Sequence, residues 1–513
     1  YYETYFSLLY TLYSIPNIFL PFFGGYFVAK WGVRLCLIIF VTLIAIGQVI
    51  FAFGVSIKSW PVMFIGRVIY GFGGESISVA NSSIMADWFA GKEVAFAFGL
   101  NLSVARLGSV FNNLLSPVLA DSAGVPFALW FGTILCASSV VCAFIIAPID
   151  KAMESKLENN QSDKQESEKF VQQKKEYPDE SEKEDEVSLK DIWKFTTPFW
   201  ILVVSCVVVY GCILPFNNIA SSLLLERDFF MIPPDHCTLT NSSQCQSSTN
   251  PPFDCPSSKF YQPPLPENIY INGKYYDKLE PDDIDCGDDD WSKGCTKEYC
   301  DRQTDAIQSA STVMSIPYII SACLSPFLGG FVDRFGMRAV IATIAPGVLI
   351  IVHSLLASSS VSPIGPMVGQ GIAYSAFAAV IWPSVPIVVQ MKLIGLGYGV
   401  ITSVQNGGLA FFPLIVASIY QSAGDEYIPQ VEYFFVALAV LGVVVGIYLN
   451  IYDWNNNHIF NSPTRVADFS AYDSLLADDN DENDYNQHKK NHNRKSGSFS
   501  AQEEAYRARI KSK

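Results

Sequence analysis

Eleven stretches of apolar residues run through this chain of 513 residues, and each is about 20 residues long or longer. A helix of about 20 apolar residues crosses the hydrocarbon core of a bilayer, where every backbone polar group must be satisfied within the segment. Half of the residues are hydrophobic and only 16% are charged. The sequence therefore predicts an all-α polytopic membrane protein, with spans at 6–28, 34–56, 62–85, 94–120, 126–148, 196–224, 305–332, 338–358, 362–388, 394–421 and 430–452.

Three charged residues interrupt two of these spans. Arg67 and Glu75 lie in the span 62–85, and Arg106 lies in the span 94–120. A charge at mid-bilayer costs about 2.5–3.5 kcal/mol on insertion scales, so it faces another charge, a water-filled cavity or a ligand. At about 1.5 Å per residue, Glu75 and Arg106 lie near the midplane of neighbouring antiparallel spans. We expect these two spans to form one wall of a cavity.

Three interpretations fit these charges. Glu75 and Arg106 form a buried salt bridge that only holds two helices together, or Arg67 and Glu75 form a proton-coupling pair. In the third interpretation a zwitterionic ligand binds both ends of the site, with its ammonium group at Glu75 and its carboxylate bidentate at Arg106. This third interpretation makes Glu75 and Arg106 substrate-binding residues.

Two sequence patterns occur once in each half of the chain. The first, GxxxD(R/K)xGxR, fits Gly329–Arg338, and Gly25–Arg34 follows it except that Ala29 replaces the acid. The second, an aromatic residue followed by Gly-x3-Ser-Val-x3-Gly, occurs at 98–108 and 398–408. Such a duplication predicts two equivalent halves. Because two spans precede the first pattern in the later half and only one in the earlier half, we expect a twelve-helix protein whose first helix is absent from this sequence.

The repeated loop resembles the hallmark of the major facilitator superfamily, and this resemblance implies a fold of two six-helix halves. It places the gating loops at Gly25, Lys30, Gly32, Arg34, Gly329, Asp333, Arg334, Gly336 and Arg338. On this basis the chain divides into an N-terminal half at 1–149, a charged linker at 150–195, a C-terminal half at 196–452 with an insertion at 225–304, and a tail at 453–513.

Lysine and arginine residues flank the spans mainly on one side, so the positive-inside rule places that side, with the linker and the tail, in the cytoplasm. Both polar segments are expected to be disordered, apart from 189–193. The insertion lies on the opposite side, where disulfides form. It carries a glycosylation sequon at Asn241, and six cysteines predict three disulfides of open pairing: Cys237, Cys245, Cys255, Cys286, Cys295 and Cys300. Its acidic run predicts a solvated surface and no metal site.

Further motifs resemble the lysosomal dipeptide transporter branch of that superfamily. They are Gly73–Ser76, Trp88–Glu93, Ala105–Ser109, Trp382–Pro383 and Ser403–Ala410. The resemblance implies that Glu75 and Arg106 hold the amino and carboxyl ends of a dipeptide, during facilitated uniport out of the lysosome. It also implies an accessory subunit, which is a single-span glycosylated lysosomal membrane protein. Ala29 and the long cysteine-rich insertion depart from the family pattern.

Other polar and aromatic residues are weaker candidates for the same cavity because of their positions on the spans. They are Arg67, Tyr70, Asn113, Tyr318, Tyr374, Trp382, Gln405 and Asn406. Aromatic residues in apolar helices are packing residues more often than ligand contacts. We expect His353 to pack outside the cavity.

These observations favour a dipeptide carrier of the lysosomal membrane that works by alternating access, with the plasma membrane as a less favoured location. The alternative is a proton-coupled carrier of another small organic solute, such as an organic anion or a sugar, but a substrate without an amino group leaves Glu75 unexplained. A third hypothesis is a receptor or scaffold that binds through the insertion. No motif predicts an enzyme, a cofactor or nucleic-acid binding. The expected partners are dipeptides, the lipid bilayer and the accessory subunit.

Overall fold

The computed structural model describes residues 9, 16–89, 93–171, 187–232, 260–263, 265–271, 274–286, 288–456 and 458–463. Within these ranges eleven helices of 12 residues or more follow one another. They are α1 (Leu20–Trp31), α2 (Val33–Ser56), α3 (Trp60–Trp88), α4 (Val94–Ala123), α5 (Val125–Val171), α6 (Thr197–Leu224), α7 (Lys297–Phe335), α8 (Arg338–Ser358), α9 (Ile364–Val388), α10 (Ile394–Ser422) and α11 (Gln430–Asn455). Each of them overlaps one predicted span.

Nine of these helices, α2 and α4 to α11, are long and apolar enough to cross a membrane in the part of the chain that is described. Helix α1 has only 12 described residues. Helix α3 has 29 residues, but its polar residues, Arg67 and Glu75 among them, lower its mean hydropathy. The all-α polytopic class predicted from the sequence is confirmed.

Two helices extend beyond their predicted ends. Helix α5 continues to Val171, so the expectation of disorder is wrong for 151–171. This segment is rich in Glu, Lys and Gln, which favour helix, and contains neither Gly nor Pro. Helix α7 begins at Lys297, eight residues before the predicted 305, because an ion pair at 2.6 Å between Arg302 and Glu298 supports its first turns.

The two halves meet most extensively through two helix pairs, α1 with α10 and α4 with α7, and further helix pairs, α3 with α10 and α4 with α9, add to the contact. Glycines allow the backbones to approach closely at these contacts. A Cβ atom on Gly399 would lie 2.6 Å from the Pro21 carbonyl oxygen, and one on Gly329 would collide with the carbonyl of Ala95. Both contacts lie toward the membrane face that carries the loops 30–34 and 334–338, which we call the basic face. The opposite face, which carries 225–304, is the insertion face.

The C-terminal half has the larger core. Helices α6, α8, α9 and α11 enclose side chains that are fully buried, including Phe199, Phe216, Phe377 and Phe435. His353 lies in this core, with its Nδ1 atom 2.7 Å from Glu432 Oε2 and both residues at 0% exposure. The expectation that His353 packs away from the cavity agrees with this position, whereas its partner on α11 was not expected.

The insertion contains a small hairpin, β1 (Glu267–Ile271) antiparallel to β2 (Lys274–Lys278). The Tyr276 ring of β2 packs against Trp291, with ring centres 5.7 Å apart. A disulfide between Cys286 and Cys300 ties the insertion to the start of α7.

Candidate functional site

The structure places Arg106 between the two halves. Its guanidinium carbon on α4 is 5.6 Å from the centre of the Tyr318 ring on α7 and 4.6 Å from that of the Tyr374 ring on α9. Its Nε atom is buried and has no hydrogen-bond partner among the described residues. A guanidinium group over ring faces keeps its charge while its N–H donors remain in its own plane. This geometry suits recognition of an anion.

Two further aromatic residues extend the wall around Arg106. Tyr210 on α6 lies within electrostatic range of Arg106 and packs edge-on against Tyr374, with ring centres 6.0 Å apart. Trp382 donates from Nε1 to the Tyr210 hydroxyl at 3.0 Å. Sequence reasoning missed Tyr210, because its neighbours along the chain are apolar and its partners lie on other helices.

Three of the predicted residues lie together on α3. The Tyr70 hydroxyl interacts electrostatically with both Arg67 and Glu75. The Arg67 guanidinium carbon is 4.3 Å from the centre of the Phe51 ring on α2. Arg67 therefore takes part in the contact between α2 and α3. Glu75 is half-buried and lies about two turns closer to the basic face.

The salt-bridge interpretation does not describe Arg106. The ion pairs found in the described part of the chain do not include this arginine, whose charge lies over two tyrosine rings instead. A charge inside a membrane span is costly without a partner, and such charges often mark substrate or ion pathways. The contacts of Arg106 do not support the salt-bridge interpretation, and its role in binding stays a prediction.

The contact between the halves continues along α4 from the basic face to Arg106. A Cβ atom on Gly99 of α4 would collide with Ser325 on α7, and one turn further along Ser103 donates to the Ala322 carbonyl. Helix α10 is most tightly packed near the basic face, since residues 394–402 are all buried, whereas Phe411 further along is 60% exposed. Arg106 therefore lies on the side of α4 that faces the other half.

Two weaker candidates on α10 contact other elements of the fold. Asn406 donates from Nδ2 to the carbonyl of Asn17 at 2.8 Å, which joins α10 to the segment before α1. Gln405 is half-buried, with its Oε1 atom 4.0 Å from Cys206 Sγ on α6. Their positions at the contact between the halves agree with a cavity, and their role in binding stays a prediction.

Several predicted features fall outside what is described. The side chain of Asn113 lies outside the described side chains, and Asn241, Cys237, Cys245 and Cys255 lie outside the described residues. Cys295 takes part in a disulfide. Among the described residues, no three His, Cys, Asp or Glu side chains are placed to hold a metal ion.

The gating loop of the C-terminal half reaches across to the other half. Asp333 accepts hydrogen bonds from the backbone N–H groups of Ala95 at 3.0 Å and Phe96 at 2.7 Å, which belong to the first turn of α4. Arg338 is almost fully buried, with its guanidinium nitrogen 3.8 Å from Asp333. A carboxylate at a helix N-terminus accepts donors that have no intrahelical partner and favours the helix dipole. Asp333 therefore fastens the halves at the basic face.

The gating loop of the N-terminal half has another arrangement. Arg34 donates from Nε to Asp150 at the cytoplasmic end predicted for the fifth span, and Trp88 donates from its indole N–H to the same carboxylate. Lys30 lies over the Tyr26 ring, 5.8 Å from its centre. Asp150 is a residue that sequence reasoning missed, because it stands 116 positions from Arg34.

Comparison with known proteins agrees with this architecture. The sequence pattern of the Major Facilitator Superfamily matches residues 2–229. The chain is similar to the human lysosomal dipeptide transporter MFSD1, with 29% identity over 459 residues that cover 87% of this chain and 78% of that protein. The protein of the same name from Bos taurus is 30% identical over 461 residues, with the same two coverages.

A solved structure shows the same fold. The proton:xylose symporter XylE, bound to 6-bromo-6-deoxy-D-glucose, superposes with a TM-score of 0.56 and covers 92% of this chain and 90% of its own. The two sequences are 12% identical, so this likeness concerns the fold alone.

Proposed function

The chain belongs to the major facilitator superfamily, and from that premise we propose that it carries dipeptides across the lysosomal membrane by facilitated uniport. The observation that carries this proposal is the position of Arg106. Its guanidinium group lies between the halves over two tyrosine rings, its Nε atom is buried, and it has no carboxylate partner among the described residues. In a protein that moves solutes, such a charge supports recognition of an anionic group on the substrate.

Glu75 supplies the second part of the proposal. A dipeptide carries a carboxylate and an ammonium group at its ends, and a guanidinium group binds a carboxylate in bidentate geometry. The ammonium end would then lie at Glu75 on the neighbouring helix α3. The aromatic wall of Tyr318, Tyr374 and Trp382 offers apolar surface that tolerates different side chains of the substrate.

Transport then requires only that the halves rock about this site. The described state is packed at the basic face, where Asp333 holds the first turn of α4. Under the positive-inside rule the basic face is cytosolic, so this state receives substrate from the lumen. Release to the cytosol follows when the contacts of Asp333 break and those at the insertion face form.

The lysosomal location is the part of the proposal that rests on similarity to named relatives. Proteins named lysosomal dipeptide transporter MFSD1 match most of this chain, and we extend the location in that name to it. The single-span glycosylated accessory subunit is proposed from the motif resemblance alone. The disulfide of Cys286 and Cys300 in the insertion is consistent with a luminal environment.

The first test is thermal melting of the purified protein with candidate substrates. A ligand at 100 times its Kd stabilises the folded state by about 2.7 kcal/mol, so dipeptides are expected to raise the melting temperature. Blocking either end, by N-acetylation or C-terminal amidation, should abolish the shift. The Arg106→Lys variant, which lacks the bidentate fork, should lose it too, whereas Arg334→Lys in the exposed loop should retain it.

The alternative carrier of an organic anion or a sugar gives a different pattern. An anion without an amino group would then stabilise the protein as much as a dipeptide, and Glu75→Gln would leave that shift unchanged. Either result would overturn the dipeptide assignment while leaving Arg106 as the anion-binding residue.

A further inference from the structure

Residues 458–463 return from the end of α11 to the loop between α7 and α8. The backbone N–H of Met337 donates to the Asn461 carbonyl at 3.2 Å, and that of Arg338 donates to the Phe460 carbonyl at 3.2 Å. Asp453 on α11 holds this segment in place, since it accepts from the Phe460 N–H at 2.6 Å and the Asn461 N–H at 3.3 Å. The segment is therefore held on two sides, by backbone hydrogen bonds to the second gating loop and by the Asp453 carboxylate on α11.

The side chain of Asn461 caps α8. Its Oδ1 atom accepts from the N–H groups of Ala339 at 3.1 Å and Val340 at 3.3 Å, two first-turn donors without an intrahelical partner. The residue at the N-cap position, Met337, has no side chain that accepts such bonds. Asn is among the best capping residues, and here it acts from 122 positions further along the chain.

Gly336 is needed for this contact. Its φ is +73°, a conformation that side chains with a Cβ atom rarely adopt. A Cβ atom would also collide with the Asn461 carbonyl, and it would lie 2.6 Å from that of Ser462. The loop therefore packs against the segment at backbone distance.

Arg338 connects the segment to the gate. It is 2% exposed, donates to the Ser462 carbonyl at 3.2 Å, and lies 3.8 Å from Asp333 Oδ1. Asp333 in turn accepts from Ala95 and Phe96 of the other half. A continuous path of hydrogen bonds and one ion pair thus runs from the segment to α4.

We infer that residues 458–463 are a clamp that holds the basic face closed, with Asn461 as its positioning residue. The clamp fixes the N-terminus of α8 and the Arg338 side chain, and Arg338 keeps Asp333 aimed at the first turn of α4. Loss of the clamp shifts the conformational equilibrium toward the state that is open at the basic face. This inference concerns the gate and needs no assumption about the substrate.

The test is hydrogen exchange of the full-length protein in lipid nanodiscs, read at the amides of Ala95 and Phe96. Asn461→Ala is expected to speed exchange at these amides roughly tenfold, because their acceptor is no longer held in position. The matched control is Asn456→Ala, because among the described residues the Asn456 side chain donates only to the Tyr452 carbonyl at the end of α11. This control should leave the exchange of both amides unchanged.

A conservative variant and two truncations separate positioning from general stability. Asn461→Asp keeps the Oδ1 acceptor but loses the amide donor to Asn450 Oδ1 at 3.3 Å, so it should restore part of the protection. Truncation after Pro463 keeps the clamp and should behave as the full chain does, whereas truncation after Asn456 should match or exceed the effect of Asn461→Ala.

Two outcomes would overturn the inference. One is equal exchange at Ala95 and Phe96 in Asn461→Ala and Asn456→Ala. The other is faster exchange throughout α4 and α8 with a lower melting temperature, which would make the segment a support for the fold and not a clamp on the gate. Exchange in the buried core of α6 serves as the internal reference, since it should not change.

Discussion

The two gating loops descend from one sequence pattern, yet only the second fastens the halves through a carboxylate. Asp333 accepts two backbone hydrogen bonds from α4, whereas the equivalent position in the first loop is Ala29, whose methyl group accepts none. The arginines differ as well, because Arg338 is buried and the Arg34 side chain is 31% exposed. A duplicated motif therefore need not make the same contacts twice.

The surroundings of the two loops explain the difference. Gly336 packs against the clamp, whereas a Cβ atom on Gly32 would meet nothing within 4 Å. In the first half, where the loop lacks the acid, Arg34 pairs instead with Asp150 at the end of the fifth span. That pair joins elements of the same half, so it does not hold the halves together. Of the two loops, only the second contributes a described carboxylate contact between the halves.

The largest expected effect comes from Asp333→Ala. The change removes the acceptor of two α4 donors and one anionic neighbour of buried Arg338, so the free energy of unfolding should fall by about 3 kcal/mol. Chemical or thermal denaturation of the purified protein measures this loss. Arg334→Ala, in the same loop but exposed, is the control, and equal stability of the two variants would contradict the assignment of Asp333 as the fastening.

A smaller effect is expected for Asp150→Ala. Its partner Arg34 is partly exposed, so loss of the charged hydrogen bond should cost about 1.5 kcal/mol. Since the pair lies within one half, exchange at the amides of Ala95 and Phe96 should not change. Faster exchange there would show that the first loop also controls the gate, and would remove the contrast between the loops.

The smallest effect is expected for Ala29→Asp, which restores the acid to the first loop. A carboxylate near the N-terminus of α10 should stabilise the closed basic face by about 0.5 kcal/mol. Measured transport should slow slightly and the melting temperature should rise. If the variant is instead less stable, the first loop lacks the space or the hydrogen-bond donors for a carboxylate. The two loops would then differ in their surroundings as well as at position 29.

The charged residues of the candidate site were predictable from the sequence, but their surroundings were not. The charges of Arg67, Glu75 and Arg106 stand out in apolar spans, because hydrocarbon penalises charge wherever a helix lies. Their surroundings could not be derived in this way. Arg106 rests on Tyr318 and Tyr374, two residues that the sequence placed only among weaker candidates, and on a wall completed by Tyr210, which it did not identify.

The membrane class, the spans and the duplicated loops were all predictable from the sequence. Hydrophobic length and a short motif are local properties, and the physics of the bilayer acts on them directly. The partners of the loops, in contrast, depend on how the helices pack. Asp150 reaches Arg34 and Asn461 caps α8 across more than a hundred positions, because the packing of helices, not their order in the chain, brings donors and acceptors together.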